Sequence, residues 1–294
     1  MSIKTNKSVW RLLAFVAPAF ALYAIFLLIP TIGGMYYSFT DWNGLKRTYG
    51  FIGFANFVDA LTDDPDFVRS LGFTMKYVLY MVVLQNVIAL LLAAFIETRR
   101  KSKAFFRTLF FMPNMISTII SAFIWTFVFT QVLPQLAERT MLTFLDQSWI
   151  GDPRVSFYSI LIVSLWNGVG YMMIIYLAAL QGVPKSLQEA ATIDGAGPFQ
   201  TFVRVTLPMI AHALTICFFL TLNGAFKVFE AVYGLTGGGP GRSTQVITMN
   251  IYEEAFSNNF LYGYASAKSI ILFVIVLIFT FLQIRVMKKR EVEA

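Results

Sequence analysis

Six long stretches of the chain are almost free of charge. They run from Leu12 to Thr40, Tyr77 to Ile96, Thr108 to Ala137, Val155 to Pro184, Val205 to Phe226 and Ser269 to Ile284, the last extending back through Lys268 to about Gly263. A helix needs about 20 apolar residues to cross the ~30 Å hydrocarbon core of a bilayer. None of the six shows the alternation of apolar and polar positions that marks a barrel strand. Helix is then the backbone that satisfies its own hydrogen bonds in lipid. The pattern predicts an all-α integral membrane protein with six transmembrane helices. Lys4, Lys7 and Arg11 precede the first apolar run, as in a secretory leader. That run is far longer than the roughly 7–15 residues of a leader's apolar region, so it reads as an uncleaved first span.

Charge fixes the expected sidedness. With six spans both termini share one side. That side collects Lys4, Lys7, Arg11, Arg99, Arg100, Lys101, Lys103, Arg107, Lys185, Arg204, Arg285, Lys288, Lys289 and Arg290, against Lys46, Arg47, Arg69, Arg139, Arg154 and Arg242 on the other. The basic excess marks the cytoplasmic side, so both termini are expected in the cytoplasm. Acids lean outward: Asp41, Asp59, Asp63, Asp64 and Asp66 share the first outer loop. The net charge of +7 is thus a topology signal facing membrane lipid, with no nucleic-acid partner implied. Apolar residues make up 57% of the 294 and charged ones only 13%, which excludes a soluble or disordered chain. The single cysteine, Cys217, and the single histidine, His212, sit in apolar runs; neither builds a metal site alone, and no cofactor is expected.

The loop between the fourth and fifth spans, Gln181 to Ile210, is longer than a simple connector. Ser186-x-x-Glu189 has the spacing of a capping box, and Pro184 separates the loop from the span before it. Leu187, Ala190, Ala191 and Asp194 fall at i, i+3, i+4 and i+7, so they share one helix face. The two alanines leave that face thin. Gly195, Gly197 and Pro198 stop the helix, and an amphipathic stretch from Phe199 to Leu207 leads to Pro208. A short helix with small residues on one side suits docking.

Glu189-Ala190-Ala191, Asp194-Gly195-Ala196 and Leu207-Pro208 together resemble the EAA loop of bacterial ABC-importer permeases. The resemblance implies a cytoplasmic coupling helix between helices 4 and 5, within residues 181–209, that fits a groove on an ATP-hydrolysing subunit. It assigns ATPase coupling to Glu189, Ala190, Ala191, Asp194, Gly195 and Pro208, with Glu189 facing a basic residue of the ATPase.

Between the fifth and sixth spans, Thr236 to Ser243 reads TGGGPGRS. It falls short of a phosphate-binding GxxxxGK[ST] loop: Thr236 and Arg242 replace the first glycine and the lysine, it follows an apolar helix, and its expected side is outside. The run Phe226-Lys227-Val228-Phe229-Glu230, followed by Tyr233 to Pro240, is similar to carbohydrate permeases of the maltose and glycerol-phosphate uptake type. Within them it resembles the TGGGP-loop subunit of a permease pair. The resemblance extends over essentially the whole chain, including Phe51–Phe57 and Arg99–Pro113. It divides the chain into a tail, first helix and outer loop (1–71), a permease domain of five helices (72–287) and a cytoplasmic tail (288–294). Lys76 and Lys268 depart from that likeness.

Charges within spans are costly and are functional suspects. Lys76 and Lys268 lie near outer helix ends, where long stems snorkel to the headgroups. Lys227 and Glu230 are three apart and Asn223 is four before Lys227, so a continuous helix would put all three on one face. That stripe reads as the wall of a translocation cavity or as an internal ion pair. Trp166, Asn167 and Tyr171 in the fourth span and Gln85 and Asn86 in the second supply aromatic faces and hydrogen-bonding groups of the kind a sugar needs. Gly168 and Gly170 allow close helix approach.

The resemblance implies a non-enzymatic permease subunit of a binding-protein-dependent importer. Its partners would be a second, homologous permease, a cytoplasmic ABC ATPase dimer, an extracytoplasmic solute-binding protein and a carbohydrate substrate. An ion-coupled secondary transporter is the alternative. It would call for mid-span acid or histidine relays and repeated broken helices, and Glu230 is the one intramembrane acid. A membrane enzyme would need a triad, a metal cluster or paired carboxylates, and none is discernible.

Overall fold

The computed structural model describes residues 5–99, 101–258 and 260–289. Lys4, Arg100, Arg290 and the chain beyond Lys289 lie outside the described residues, as do the side chains of Lys7 and Arg11. Among the described residues the chain is helical, with a single isolated bridge, Thr40 to Phe51, and no strand. In chain order the helices are α1 (Thr5–Tyr23), α2 (Ile29–Tyr37), α3 (Ala55–Thr62), α4 (Pro65–Glu97), α5 (Lys103–Phe111), α6 (Thr118–Phe127), α7 (Leu133–Thr140) and α8 (Pro153–Gln181). There follow α9 (Lys185–Ile193), α10 (Pro198–Thr201), α11 (Leu207–Met209), α12 (Ala211–Phe226), α13 (Glu230–Leu235), α14 (Ile247–Glu253) and α15 (Tyr262–Lys288). Leu12–Tyr37, α4, Thr118–Thr140, α8 and α15 are each long and apolar enough to cross a bilayer. Pro198–Met209 and α12, bent by 73° at their junction, are long and apolar enough only as a pair, and make the crossings six when counted as one span.

Three spans contain a widened π-turn, and each turn ends two residues before a proline. Ala24–Leu28 precedes Pro30, Val128–Val132 precedes Pro134, and Phe202–Thr206 precedes Pro208. A helical proline clashes with the carbonyl four residues back, here Phe26, Thr130 and Arg204, and cannot bond to it. Opening the turn by one residue moves that carbonyl aside and keeps the helix going.

The chain divides into two compact units. The first comprises residues 1–64 and 251–272. Its segment Leu12–Tyr37 is apolar all round and buries none of its residues, so its side chains are left to lipid or to another protein. After α2, Asn56 donates to the carbonyls of Ser38 and Thr40, both at 2.9 Å, and Asp41 accepts from the Gly50 amide at 2.6 Å. Tyr37 stacks on Trp42 with ring centroids 4.2 Å apart.

Lys268 belongs to this unit and corrects a sequence expectation. Its side chain is 0% exposed, so it does not snorkel. Its ammonium lies 2.7 Å from Asp64 Oδ2 and 2.9 Å from Glu254 Oε2, over the Tyr264 ring. Two carboxylates supply what the headgroups would have offered. Lys76, in the second unit, is exposed as expected, with its ammonium 4.1 Å over the Phe157 ring.

The second unit comprises residues 65–250 and 273–294. α4 and α8 form its centre. α8 begins where Asp152 accepts from the Arg154 amide at 2.7 Å, with Pro153 in the first turn, the arrangement that satisfies a helix start. Ala89, Ala93 and Ile96 of α4 meet Met173, Tyr176 and Leu177 of α8 and Cys217 of α12 in one apolar cluster. Small residues allow such close contact inside a membrane bundle. At Gly170 the approach is tight enough to forbid a side chain, because a Cβ would lie 2.2 Å from the Phe110 carbonyl oxygen.

The third span differs from expectation. Thr108 to Ala137 is not continuous: α5 ends at Phe111, a 3-10 turn covers Met112–Met115, Ile116 is extended and α6 starts at Thr118. Pro113 causes the break, and a neighbouring helix supplies the freed backbone with partners, as described below.

Candidate functional site

A cavity of about 580 Å³ lies within the second unit. α4 contributes Tyr77, Met81 and Gln85; α8 contributes Ser164, Asn167, Gly168, Tyr171 and Met172. The Pro113 break supplies Asn114, with Thr118 beside it, and α12 supplies Thr221 and Gly224 among others. The remaining wall is Lys227 to Ala231, the junction of α12 and α13.

That junction corrects the single helix face expected for Asn223, Lys227 and Glu230. α12 stops at Phe226, Phe229 leaves helical geometry with φ −143° and ψ −60°, and α13 begins at Glu230. Lys227 therefore sits at the C-terminal cap of α12, where a cation complements the helix dipole, and Glu230 opens the first turn of α13, where an anion does. Each charge is held by a helix end. No ion pair joins the two among the described residues, and both are exposed in the cavity wall. The expected internal ion pair is thus not formed among the described residues, and the two charges line the cavity. Asn223 is not in that wall; its amide donates one turn back to the Phe219 carbonyl at 3.0 Å.

The other polar candidates separate by what they touch. Gln85 is buried at the wall and donates to the Gly168 carbonyl at 3.0 Å. Asn167 donates to the carbonyls of Pro113 and Ile116 at 3.1 and 3.2 Å and to Ser121 Oγ at 3.2 Å, while Asn114 donates to its carbonyl at 3.3 Å. It thus braces the broken third span and presents its remaining surface to the cavity. Tyr171 is exposed in the wall. Asn86 is buried behind it, accepting from Tyr176 OH at 2.6 Å and donating to Val82 O at 2.8 Å and to Thr221 Oγ1 at 3.3 Å. Trp166 turns away, packing edge-on to Trp125 at 5.7 Å. Tyr77, Asn114, Thr118, Ser164 and Thr221 also line the cavity and were not singled out from sequence. Asn114 beside Pro113 was the one readable clue.

At the loop after α8, the capping box does not form. α9 starts directly after Pro184, whose carbonyl accepts from the Leu187 amide at 3.2 Å, and no side chain caps the helix. Pro184 is held extended with ψ 127° and itself takes the cap position, which puts Ser186 inside the first turn. The C-terminus closes as expected. Gly195 is left-handed with φ +83°, and the Ala196 amide donates back to the Ala191 carbonyl at 2.9 Å, the 6→1 bond of a glycine-terminated helix. No residue of α9 is buried. Glu189, Ala190 and Asp194 are exposed, Ala191 is half-buried, and Ile193 and Phe199 are 86% and 81% exposed. Pro208 lies in α11, just before the 73° bend at Ile210.

Residues 85–291 match the family described as "Binding-protein-dependent transport system inner membrane component". The probable starch degradation products transport system permease protein AmyD of Thermoanaerobacterium thermosulfurigenes is 40% identical over 98% of this chain and 97% of its own length. The multiple sugar-binding transport system permease protein MsmF of Streptococcus mutans is 36% identical over 92% of this chain and 93% of its own. Among solved structures, a chain of a bacterial ABC transporter involved in the import of the acidic polysaccharide alginate shares the fold. Its TM-score is 0.82 at 24% identity, over 97% of this chain and 98% of that one.

Proposed function

The chain belongs to the binding-protein-dependent transport system inner membrane components, and from that premise we propose that it is one permease subunit of an ATP-driven importer whose cargo is a carbohydrate. It is a multi-pass membrane protein of a transporter family, not of an enzyme class. The names of AmyD and MsmF, which refer to starch degradation products and to multiple sugars, support carbohydrate as the cargo. In this reading both termini and α9 face the cytoplasm, consistent with the Lys and Arg distribution. A solute-binding protein delivers the sugar from outside, a second permease completes the pathway, and a pair of ATPase subunits grips α9.

The observation that carries the reading is the chain path from α9 to the cavity. α9 projects with no residue buried, with Ile193 at its end and Phe199 beyond it uncovered, as a helix awaiting a partner would. It connects through α10, the π-turn and α11 to the bend at Ile210, and α12 runs from there to the break at Lys227–Phe229. α12 has 16 residues, about 24 Å of rigid rod at 1.5 Å per residue. A push on α9 by a closing ATPase therefore reaches the charged wall through one lever. Gln85, Asn167, Tyr171, Lys227 and Glu230 would meet the sugar there. Asn86, Asn223 and Trp166 act behind that wall, positioning the helices that carry it.

Gly195→Asp in the assembled transporter tests the docking. A Cβ at this position meets no atom within 4 Å, and the left-handed backbone, φ +83°, costs a non-glycine residue about 1–2 kcal/mol at an exposed helix end, so insertion of the spans is expected to be preserved. Substrate-stimulated ATP hydrolysis is expected to be lost. Normal coupled hydrolysis in that variant would remove α9 from the coupling path.

A further inference from the structure

The turn from α4 into α5 carries more positive charge than the described residues neutralise. Arg99, Lys101, Lys103 and Arg107 lie within nine residues of one another. Glu97 is paired with Lys103 at 2.6 Å. Arg99 stacks its guanidinium 4.4 Å over the Phe95 ring. Among the described residues no carboxylate forms an ion pair with Arg99, Lys101 or Arg107. Phe105, between Lys103 and Arg107, is 64% exposed.

Directly beyond this turn lies a second cavity, an apolar groove of about 400 Å³ between α4, α5 and α8. Ile88 and Leu92, Leu109 and Phe110, and Leu165 and Val169 form its walls. Leu92 is five residues from the end of α4, about 7.5 Å along the axis. Arg107 is three residues before Phe110 and so shares its face of α5. The groove therefore runs from the cationic turn into the apolar depth of the bundle.

We propose that this groove and turn form a binding site for an anionic phospholipid. One acyl chain lies along the groove, and the phosphate is held by Arg99, Lys101 and Arg107. The argument is complementarity of two kinds in one place: uncompensated cations at the membrane surface attract anionic headgroups, and the adjoining walls are hydrocarbon. The placement of this turn at the inner leaflet rests on the orientation proposed above. The consequence is functional. α5 backs directly onto Gly170 and leads into the Pro113 break that Asn167 braces, so the lipid steadies the element that frames the transport cavity.

The full transporter complex, purified in detergent, is exposed to phosphatidylglycerol or phosphatidylcholine and examined by native mass spectrometry. Phosphatidylglycerol is expected to be retained selectively, and its retention should fall about fivefold for each of Arg99→Gln and Arg107→Gln. Arg107→Lys should keep it, and Leu92→Trp, which fills the groove without touching charge, should weaken it. Vesicles of phosphatidylcholine with phosphatidylglycerol should support faster coupled uptake than phosphatidylcholine alone. Equal retention of the two lipids, or retention unaffected by the arginine and groove variants, would overturn the proposal. So would a photo-crosslink to another polypeptide from a benzophenone maleimide attached at Leu109→Cys, which would put the partner permease in the groove. Orientation is read separately, by membrane-impermeant labelling of Lys101→Cys in right-side-out and inside-out vesicles. Labelling from outside alone would overturn the inner-leaflet placement and the proposed topology, whatever the detergent result.

Discussion

Replacing Lys268 with Met should destabilise the protein heavily, although the two side chains are similar in length. The ammonium is fully buried between Asp64 and Glu254, at 2.7 and 2.9 Å, and each of those carboxylates is only 17% exposed. Tyr264 also donates to Asp64 Oδ2 at 3.2 Å. The variant leaves two like charges facing each other without their shared cation. Removing one partner of a buried ion pair costs about 3–5 kcal/mol, because the other is left desolvated and unpaired. The residual water contact of both acids points to the lower end, about 3 kcal/mol. At about 2–4 °C per kcal/mol, that corresponds to a melting temperature lower by roughly 6–12 °C. The assay is thermal unfolding of the purified complex. A matched variant, Lys268→Met with Asp64→Asn and Glu254→Gln, removes the charges together and should recover most of the loss, since a buried pair replaced as a unit is often near neutral. If Lys268→Met melts with the parent, the ammonium reaches the headgroups after all, and the buried triad is refuted.

Further expectations follow from single contacts. Gly170→Ala would bring a Cβ to 2.2 Å from Phe110 O and 2.8 Å from Phe111 Cα; backbone must move, and a loss of about 1–3 kcal/mol should appear in the same thermal assay. Tyr176→Phe strands the buried Asn86 Oδ1 and should cost about 1–3 kcal/mol; an unaltered melting point would mean that the amide has another donor. Lys227→Met and Glu230→Gln should each cost no more than about 0.3–1 kcal/mol, the worth of a charge at a helix end, since neither is in an ion pair among the described residues, while altering uptake rate or sugar preference. Unchanged transport in both variants would take the junction of α12 and α13 out of the sugar path.

The sequence by itself determined the membrane class, an all-helical chain of five to six apolar crossings, and the stop of α9 at Gly195. Those features rest on local rules: hydrocarbon thickness sets the length of an apolar run, and left-handed backbone selects glycine. It also marked Gln85, Asn167, Tyr171, Lys227 and Glu230, which the fold brings to one cavity. Tertiary structure alone decided which polar groups face that cavity and which face a neighbouring helix. Asn86 and Asn167 look alike in the chain, yet Asn86 is taken up by Tyr176 and Thr221, while Asn167 holds the Pro113 break and still reaches the wall. Lys76 and Lys268 also look alike, but only Lys268 meets two carboxylates, Glu254 nearby and Asp64 from the other end of the chain. A polar residue's role depends on which partners arrive from residues far along the sequence, and hydrophobic periodicity carries no record of them. The break after Phe226 escaped the periodic pattern for a related reason. Val228 and Phe229 are as apolar as helix interior, and no proline or glycine at the junction announces that the helix stops.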